Sequence, residues 1–203
     1  MAEKHFSKVY EADPDALTDL YDDWADDYDA DLASAGYATP ARVARALARL
    51  APDGAGPVMD FGCGTGLSGA ALAEAGFTQV DGCDLSAGML DEARAKDIYR
   101  DLYQLDAAAP PPFSLGLYPV VAATGVISVG GAPASVLGEV AREMAPGALL
   151  GLSFNDPTLD DADYTDTLAR LVEAGTFRIR HEEHGDHLPA KGMKSTVYVL
   201  ERL

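Results

Sequence analysis

The feature that most constrains this chain is a glycine-rich turn that directly follows a short apolar segment. Residues 58–61 (Val-Met-Asp-Phe) have the composition of a buried strand, and residues 62–66 read Gly-Cys-Gly-Thr-Gly before an Ala/Leu-rich stretch. Glycines allow a tight turn and let a ligand approach the backbone closely. A helix that begins after the turn presents free N–H groups and the positive end of its dipole. The sequence therefore predicts a ligand site at a strand–turn–helix junction.

Apolar segments alternate with helical patterns through the rest of the chain. This alternation predicts an α/β fold, a mostly parallel sheet with helices on both faces. The two C-terminal strands are expected to pair antiparallel. The predicted strands are residues 58–61, 79–84, 99–105, 118–124, 148–154, 176–183 and 194–201, and the helices between them include residues 88–96, 134–144 and 160–175.

The N-terminal segment is strongly acidic but has helical periodicity. Residues 11–31 carry ten acidic residues and no Lys or Arg. Asp13-Pro14 suits a helix start, and Pro40 opens a second helix that ends in the loop at residues 52–57. We expect a helical cap over residues 1–50 and one compact domain over residues 51–203. The apolar residues at helical spacing are Leu17, Leu20, Tyr21, Trp24, Tyr28 and Leu32.

The spacing of the glycines separates two kinds of cofactor site. Dinucleotide sites have Gly-x-Gly-x-x-Gly, whereas this turn is Gly-x-Gly-x-Gly with an acid, Asp60, before it. The pattern resembles the first motif of class I S-adenosylmethionine (SAM)-dependent methyltransferases. That resemblance implies SAM as cofactor, S-adenosylhomocysteine as product, and a Rossmann-like seven-stranded sheet of order 3-2-1-4-5-7-6. It also implies cofactor contacts from Asp60, Gly62, Cys63, Gly64 and Gly66.

Acids end the next two predicted strands as well. Asp84 can accept hydrogen bonds from both ribose hydroxyls, and the resemblance implies this role, with Leu85 beside it and Met89 near the adenine. The alternative for Asp84, and for Ser86, is a helix N-cap. After the third strand, the resemblance implies adenine recognition by Asp106 and Ala107. The alternative for Asp106 is an ordinary loop carboxylate.

The fourth strand ends where the family binds the methionine part of the cofactor. The resemblance implies that Thr124 and the Gly125 backbone line this part of the pocket. The family usually has an Asp early in this strand, but this chain has Pro119, which cannot donate to a strand ladder. We therefore assign no catalytic residue.

Residues 20–29 and 36–40 add a closer likeness. Leu-Tyr-Asp-Asp-Trp-Ala-Asp-Asp-Tyr-Asp and Gly-Tyr-Ala-Thr-Pro resemble the opening of the Williams–Beuren-region methyltransferase-like family. In related small-molecule methyltransferases the N-terminal helices cover the cofactor, which makes Tyr21 and Tyr28 candidate cofactor contacts. The alternative is that Tyr21, Trp24 and Tyr28 form a packing stripe at i, i+3 and i+7.

Charge narrows the choice of acceptor. The formal net charge is −18, which repels nucleic acid, and no basic patch is present. Arg42, Arg45 and Arg49 are expected on a solvated helical face. The Asn/Asp-Pro-Pro-aromatic signature of amino-purine and glutamine N-methyltransferases is absent after the fourth strand. A small-molecule acceptor is the best interpretation.

Other residue types suggest no further chemistry. Cys63 and Cys83 are expected to be small buried thiols, and no metal site is predicted. His181, His184 and His187 are expected to be solvated residues in the loop between the last two strands. No segment has the length of a membrane span, and no signal peptide is recognisable, so we expect a cytoplasmic protein with no membrane partner.

The sequence thus predicts a SAM-dependent methyltransferase acting on a small molecule. Two alternatives stay open: a non-catalytic SAM-binding or interaction protein with the same fold and, against the glycine spacing, an NAD-linked oxidoreductase. The sequence leaves the acceptor, a general base and the oligomeric state open.

Overall fold

The computed structural model describes residue 8 and residues 16–51 and 55–203. The predicted helix start at Asp13-Pro14 and the loop residues 52–54 lie outside the described residues. The helices are α1 (Leu17–Ala35), α2 (Thr39–Leu50), α3 (Leu67–Glu74), α4 (Ala87–Ala95), α5 (Ser135–Glu143), α6 (Asp156–Leu159) and α7 (Ala162–Glu173). The strands are β1 (Val58–Phe61), β2 (Val80–Asp84), β3 (Leu102–Gln104), β4 (Val120–Ala123), β5 (Leu149–Asn155), β6 (Phe177–Leu188) and β7 (Met193–Arg202).

The strands form one sheet of order β3-β2-β1-β4-β5-β7-β6, which confirms the predicted fold class and strand order. Strands β1 to β5 are parallel, and β7 runs antiparallel to both β5 and β6. Asp60 of β1 is in register with Gly82 of β2 and with Ala122 of β4. The carboxyl ends of the parallel strands therefore meet at one edge, the usual position of a ligand site in such sheets.

Helices cover both faces of the sheet, and successive strand residues alternate between two cores. Val58 packs with Leu47 of α2 and Leu72 of α3 on one face. Met59 belongs to the core of the other face, which includes Leu137 of α5 and Leu168 of α7. Because the central strands are covered on both sides, nearly all of their residues are buried.

The N-terminal segment forms two helices, as its apolar periodicity predicts. Helix α1 ends at Gly36, which takes a left-handed conformation with φ +76°. Helix α2 begins at Thr39 with Pro40 in its first turn. Proline is tolerated there because a backbone N–H in the first turn has no acceptor within the helix. Val43 and Leu47 are buried against the sheet. No helix among the described residues has both the length and the apolar character to cross a lipid bilayer.

Strands β3 and β4 begin later than predicted. Strand β3 covers only Leu102–Gln104, although Arg100 N donates to the carbonyl of Val80 and Gly82 N donates to that of Asp101. Strand β4 begins at Val120, so Pro119 lies just before its first residue. The carbonyl of Pro119 accepts a hydrogen bond from Leu149 N at 2.9 Å. Proline is tolerated here because no donor is required at this position.

The placement of the histidines in a loop is wrong. Strand β6 extends to Leu188, so His181, His184 and His187 all lie within it. The strand is at the edge of the sheet and is mostly exposed, so its sequence lacks the apolar alternation that marks a half-buried strand. His187 is also buried, at 8% exposure, and not solvated.

The interpretation of Arg42 as a solvated residue is likewise wrong, whereas Arg45 and Arg49 are exposed. Arg42 is buried between α2 and the β6–β7 hairpin. Its guanidinium pairs with Glu183 Oε1 at 3.1 Å and donates to Ser195 Oγ at 3.0 Å. These partners are far away in the chain, so helical spacing alone could not identify them.

Candidate functional site

The glycine-rich turn at residues 62–66 joins β1 to α3, and all three of its glycines have positive φ. Gly62 has φ +69°, and a Cβ at this position would lie 2.5 Å from Cγ2 of Val126, in the loop after β4. Gly64 has φ +53°, and a Cβ there would meet no atom within 4 Å. Packing therefore excludes a side chain at Gly62, whereas the backbone at Gly64 borders open space that a ligand can occupy.

Asp84, the last residue of β2, lies across from this turn. Its Oδ2 accepts a hydrogen bond from Gly64 N at 2.8 Å, and its Oδ1 accepts one from Ser86 N at 3.0 Å. Ser86 is the N-cap of α4 and accepts from Met89 N, so the N-cap alternative is right for Ser86 and wrong for Asp84. Burial raises the pKa of the Asp84 carboxyl group, and the neighbouring backbone N–H groups oppose that rise.

Asp60, in β1, is fully buried beneath the turn. Its Oδ2 accepts hydrogen bonds from Ser68 Oγ and from the Tyr99 hydroxyl, both at 2.7 Å. Its Oδ1 is buried and accepts no hydrogen bond from any described residue. Burial raises the pKa of this carboxyl group to about 6. Because an unpaired buried acceptor is costly, the site is suited to a ligand that donates a hydrogen bond to Oδ1.

Helix α1 crosses the open edge of the sheet and is bonded to loops on both sides of the turn. Asp22 Oδ1 accepts hydrogen bonds from Ser86 Oγ and, at 2.9 Å, from Gly88 N, in the first turn of α4. The Tyr21 hydroxyl donates to the carbonyl of Gly130 at 3.0 Å, in the segment after β4. Tyr21 therefore joins α1 to the segment after β4.

A third contact joins α1 to the glycine-rich turn itself. Asp29 Oδ1 accepts a hydrogen bond from Thr65 Oγ1 at 2.5 Å, and Asp29 Oδ2 pairs with Lys96 Nζ at 2.7 Å. Lys96 also donates to the carbonyl of Thr65 at 2.6 Å. We call these three residues the α1 latch. Asp22 and Asp29 are seven residues apart and face the same way from the helix, a spacing that could have indicated a shared contact surface.

The cavity between α1 and the turn is small. It encloses about 40 Å³, room for about three water molecules, whereas small-molecule sites usually measure roughly 300–1,000 Å³. The cavity between α1 and the turn is thus smaller than a cofactor-sized ligand. The lining residues are Tyr28, Tyr37, Pro40, Gly62, Cys63, Gly64, Thr65, Leu67, Ser68 and Thr124.

Five of the predicted cofactor residues share this lining. Tyr28 contributes one wall, and burial, followed by the nearby hydroxyl and carboxyl groups, raises the pKa of its hydroxyl. Tyr28 also packs edge-on against Trp24, with ring centroids 4.7 Å apart, which confirms the packing interpretation of this aromatic stripe. The predicted residues in the lining are Tyr28, Gly62, Cys63, Gly64 and Thr124.

The residues predicted to hold the adenine lie outside the cavity lining. Leu85 is 43% exposed at the end of β2, while Met89 is buried below it in α4. Asp106 and Ala107 are exposed after β3. Asp106 Oδ1 accepts a hydrogen bond from Ala108 N at 2.8 Å, as a loop carboxylate does.

Two further predicted residues hold the turn and the β4 loop in place. Gly66 is the N-cap residue of α3. Gly125 N donates to Ser153 Oγ at 3.0 Å, which fixes the loop after β4 against β5. Cys63 and Cys83 are buried free thiols, as predicted. Burial raises the pKa of the Cys83 thiol to about 12, so it is not an activated nucleophile.

Sequence reasoning did not identify several lining residues. Thr65, Leu67 and Ser68 flank the motif glycines, so their proximity to the motif was the available signal. Tyr37 and Pro40 belong to residues 36–40, a segment noted for its likeness to a family and for the helix start at Pro40.

Comparison with known proteins agrees with this geometry. Residues 58–147 match a family described as "Methyltransferase domain". Human methyltransferase-like protein 27 is 35% identical over 167 residues, which cover 78% of this chain and 66% of that protein, just under two thirds of its length. Bovine 18S rRNA (guanine-N(7))-methyltransferase is 43% identical over 61 residues, 30% of this chain and 21% of that enzyme.

A solved structure extends the likeness to the fold. Magnesium protoporphyrin IX methyltransferase from Synechocystis PCC 6803, solved with bound SAM, superposes with a TM-score of 0.59 at 22% identity, covering 80% of this chain and 78% of that one. In this chain, that sheet carries the glycine-rich turn between β1 and α3. By fold and by family, the chain belongs to the class I methyltransferases whose cofactor is S-adenosylmethionine.

Proposed function

We propose that this chain transfers the methyl group of SAM to a small-molecule acceptor, at the edge of the sheet where α1 closes over the glycine-rich turn. The observation that carries the proposal is the pairing of Asp84 with the open backbone of Gly64. A carboxylate and an uncovered glycine face each other there at 2.8 Å, beside the buried free oxygen of Asp60. That combination suits a ligand with two hydroxyls and an ammonium group.

The residues present fit SAM. Asp84 would exchange its bond to Gly64 N for charge-assisted hydrogen bonds from the two ribose hydroxyls. Asp60 Oδ1 would accept from the ammonium group of the methionine part, directly or through water. Thr124 and Gly125 would border that methionine part. Leu85, Met89, Asp106 and Ala107, at the ends of β2 and β3, would surround the adenine.

The chain's own contribution to the reaction is positional. SAM, when bound, supplies a methyl group already activated on a sulfonium. The protein then has to hold the acceptor in line and exclude water, and orientation of this kind lowers a barrier by roughly 7–11 kcal/mol. The buried Tyr28 hydroxyl has a raised pKa and stays protonated near neutral pH, so it would donate a hydrogen bond and not act as a base.

Electrostatics and closure support a small acceptor. The net charge of −18 repels polyanions. Helix α1 carries many of these acids and lies directly over the site, so a nucleic acid would have to approach along the most acidic element. Helix α1 covers one side of the cavity through Tyr28, which suits an acceptor small enough to be enclosed. The bovine relative is named for an RNA substrate, and the Synechocystis neighbour for a porphyrin.

Two unusual residues next to β4, Pro119 and Gly131, are compatible with turnover. Pro119 lies before β4 and does not interrupt the strand. Gly131 is required by close packing, because a Cβ there would lie 2.4 Å from the carbonyl oxygen of Val126. Catalysis is therefore the better interpretation.

Isothermal calorimetry with SAM, S-adenosylhomocysteine and NAD tests the cofactor. We expect binding of the first two and none of NAD. Asp84→Asn should weaken S-adenosylhomocysteine binding by about tenfold or more, since it removes a charged acceptor from two hydrogen bonds. Asp91→Asn, an exposed acid of α4, is the matched control. Equal affinities of both variants would contradict the ribose role.

Turnover then separates an enzyme from a binding protein. The purified chain is incubated with SAM and a panel of small acceptors and, separately, with RNA. Mass spectrometry that detects a gain of one methyl group on a small acceptor supports the proposal. Methylation of RNA alone would overturn the choice of acceptor.

A further inference from the structure

Tyr37 lies in the turn between α1 and α2 and reaches over the end of β4. It lines the cavity together with Tyr28 and Thr124. A Cβ built on Gly125 would lie 3.0 Å from the Tyr37 hydroxyl oxygen, so the hydroxyl is directed at the backbone after β4. No role follows for Tyr37 from the sequence, and its neighbours suggest one.

The sheet order defines which end of a ligand would meet Tyr37. Asp84 ends β2 and Gly125 follows β4, and these strands flank β1 on opposite sides. A ligand with its ribose at Asp84 that extends across Gly64 therefore reaches β4 with its other end. Tyr37 covers that end, where the methionine part of SAM would lie.

His187, at the far end of β6, packs against Tyr37. The two rings meet edge-on, with centroids 5.2 Å apart and an angle of 85° between their planes. Ala38 N, next to Tyr37, donates to the carbonyl of His187 at 3.0 Å. The Tyr37 backbone and ring are thus both held by one residue of β6.

A chain of buried hydrogen bonds fixes His187 in turn. Arg42 Nη1 is 3.0 Å from Ser195 Oγ, which is 3.0 Å from Thr39 Oγ1, which is 2.8 Å from His187 Nδ1. Thr39 and Ser195 are fully buried and Arg42 and His187 are each 8% exposed. These four residues form the α2–β7 chain.

The direction of hydrogen-bond donation along the α2–β7 chain follows from Arg42. A guanidinium only donates, so Ser195 Oγ accepts from Arg42. The Ser195 hydroxyl hydrogen is satisfied if it is donated to Thr39, and Thr39 then donates to His187 Nδ1. The reverse direction would leave a buried hydroxyl hydrogen without an acceptor among these groups, which is costly. His187 is therefore neutral with its hydrogen on Nε2, and burial, which lowers its pKa to about 4, agrees with this.

We propose that Tyr37 is a binding residue for the methionine end of the cofactor, and that His187 is the residue that positions it. The proposal rests on the proposed function for its ligand. The α2–β7 chain holds His187 in one tautomer and one orientation. The edge-on contact with His187 fixes the orientation of the Tyr37 ring, so the Tyr37 hydroxyl stays over Gly125.

Paired ligands test the role of Tyr37. S-adenosylhomocysteine and 5′-methylthioadenosine share the nucleoside, but only the first has the methionine-derived end. Tyr37→Phe should weaken S-adenosylhomocysteine binding by about fivefold, the equivalent of one hydrogen bond, and leave methylthioadenosine binding unchanged. Tyr164→Phe, which loses a hydroxyl bonded to Ala132 O on the opposite face, is the matched control. Equal losses for both ligands, or none, would overturn the proposal.

Thr39→Val tests the positioning step. This variant keeps the side-chain shape and cuts the α2–β7 chain, so it should weaken S-adenosylhomocysteine binding about threefold with methylthioadenosine unchanged. Thr196→Val is the control, because it removes the corresponding hydroxyl bonded to Nδ1 of the exposed His184. If Thr39→Val binds both ligands as the wild type does, His187 does not position Tyr37.

Nitrogen-15 NMR of the histidine side chains gives a readout independent of binding. In the wild type, His187 should have the Nε2–H tautomer throughout pH 5.5–8, and Thr39→Val should convert it to a mixture of tautomers. An Nδ1–H tautomer or a charged ring of His187 at pH 7 would contradict the direction of hydrogen-bond donation in the α2–β7 chain. Should the wild type bind neither ligand, the proposed function fails together with the cofactor role of Tyr37, whereas the NMR result still decides the tautomer.

Discussion

Asp60 illustrates how one buried carboxyl group ties stability to function. Two donors, Ser68 and Tyr99, satisfy one of its oxygens, and the other oxygen has no partner among the described residues. Burial outweighs these hydrogen bonds and raises the pKa of the group to about 6, from 3.8 in an ordinary environment. The fold therefore carries a charge at neutral pH that destabilises it, a cost that is typical of ligand sites.

The pKa shift predicts a pH-dependent stability. The folded state binds the Asp60 proton more tightly than the unfolded chain, so the stabilisation is complete below about pH 4 and is lost as the pH rises through about 6. Asp60→Asn removes this titration and should be more stable than the wild type at pH 7.5. The difference in unfolding free energy between the two should shrink as the pH falls to 4, by at most about 3 kcal/mol.

Urea denaturation from pH 4 to 8 measures this difference. Asp23→Asn, on the exposed side of α1, removes one charge without touching the buried group and serves as the control. A stability difference between Asp60→Asn and the wild type that does not vary with pH would refute the raised pKa.

Among single residues, the sequence predicted those identified by local spacing and missed those whose partners are distant in the chain. Gly64 and Asp84 were predicted because the turn and the strand ends have a characteristic spacing. Arg42 and Asp29 were missed because their partners, Glu183 and Thr65, lie 141 and 36 residues away in the chain. A charged residue on a helix has the same sequence pattern whether it faces water or a partner in another element.

Among the elements, α1 is the one that closes over the glycine-rich turn and is bonded to it. It is tied down by the α1 latch of Asp29, Thr65 and Lys96 and by the Asp22 cap on α4. The Asp29–Lys96 pair is partly exposed, with 37% and 23% of the two side chains accessible. Such a pair contributes up to about 1 kcal/mol, enough to hold a lid and weak enough to release it.

Weakening the latch should therefore speed ligand exchange. Asp29→Asn and Lys96→Met should each raise both the association and the dissociation rate of S-adenosylhomocysteine by roughly two- to fivefold, the equivalent of up to about 1 kcal/mol. The equilibrium affinity should change less than the rates. Trp24 lies in α1 and is the only tryptophan in the chain, so stopped-flow fluorescence follows this helix directly.

Asp23→Asn is again the matched control, because it changes the charge of α1 by the same amount away from the latch. Rates in Asp29→Asn that equal those of the control would show that α1 does not limit ligand exchange.

The elements themselves were largely predictable from the sequence. Buried parallel strands are short apolar runs between helical patterns, so β1, β2, β4 and β5 were located closely. The edge strand β6 was cut short in the prediction because both of its faces meet solvent along most of its length, which leaves no apolar alternation. The strand order came from resemblance to a family, since alternation alone predicts a parallel sheet and not its order.

At the scale of the whole molecule, the charge is strongly unbalanced. The chain has 33 acidic and 15 basic residues, a formal net charge of −18. Several attractive pairs exist, including Arg42 with Glu183 and Arg100 with the buried Asp81. Those pairs use only a few of the acids, so the remaining negative charges repel one another across the surface and oppose the compact state.

Screening should therefore stabilise this protein. The Debye length falls from roughly 10 Å at 0.1 M salt to about 3 Å at 1 M, which removes long-range repulsion while buried pairs are screened less. We expect the melting temperature to rise by several degrees between 0.02 and 0.5 M NaCl. Chloride is the appropriate anion, because sulfate would also strengthen apolar burial.

A variant with a smaller net charge separates repulsion from other effects of salt. Asp23→Lys with Asp26→Lys adds two charges at each of two exposed positions of α1, which changes the net charge from −18 to −14. Its melting temperature should be higher than that of the wild type at low salt and should respond less to NaCl, because less repulsion remains to be screened. Calorimetric scans at four NaCl concentrations measure, for each protein, the slope of the melting temperature against salt. Identical slopes, or melting temperatures that fall with salt, would mean that attractive pairs and not the excess of acids dominate the electrostatics of this fold.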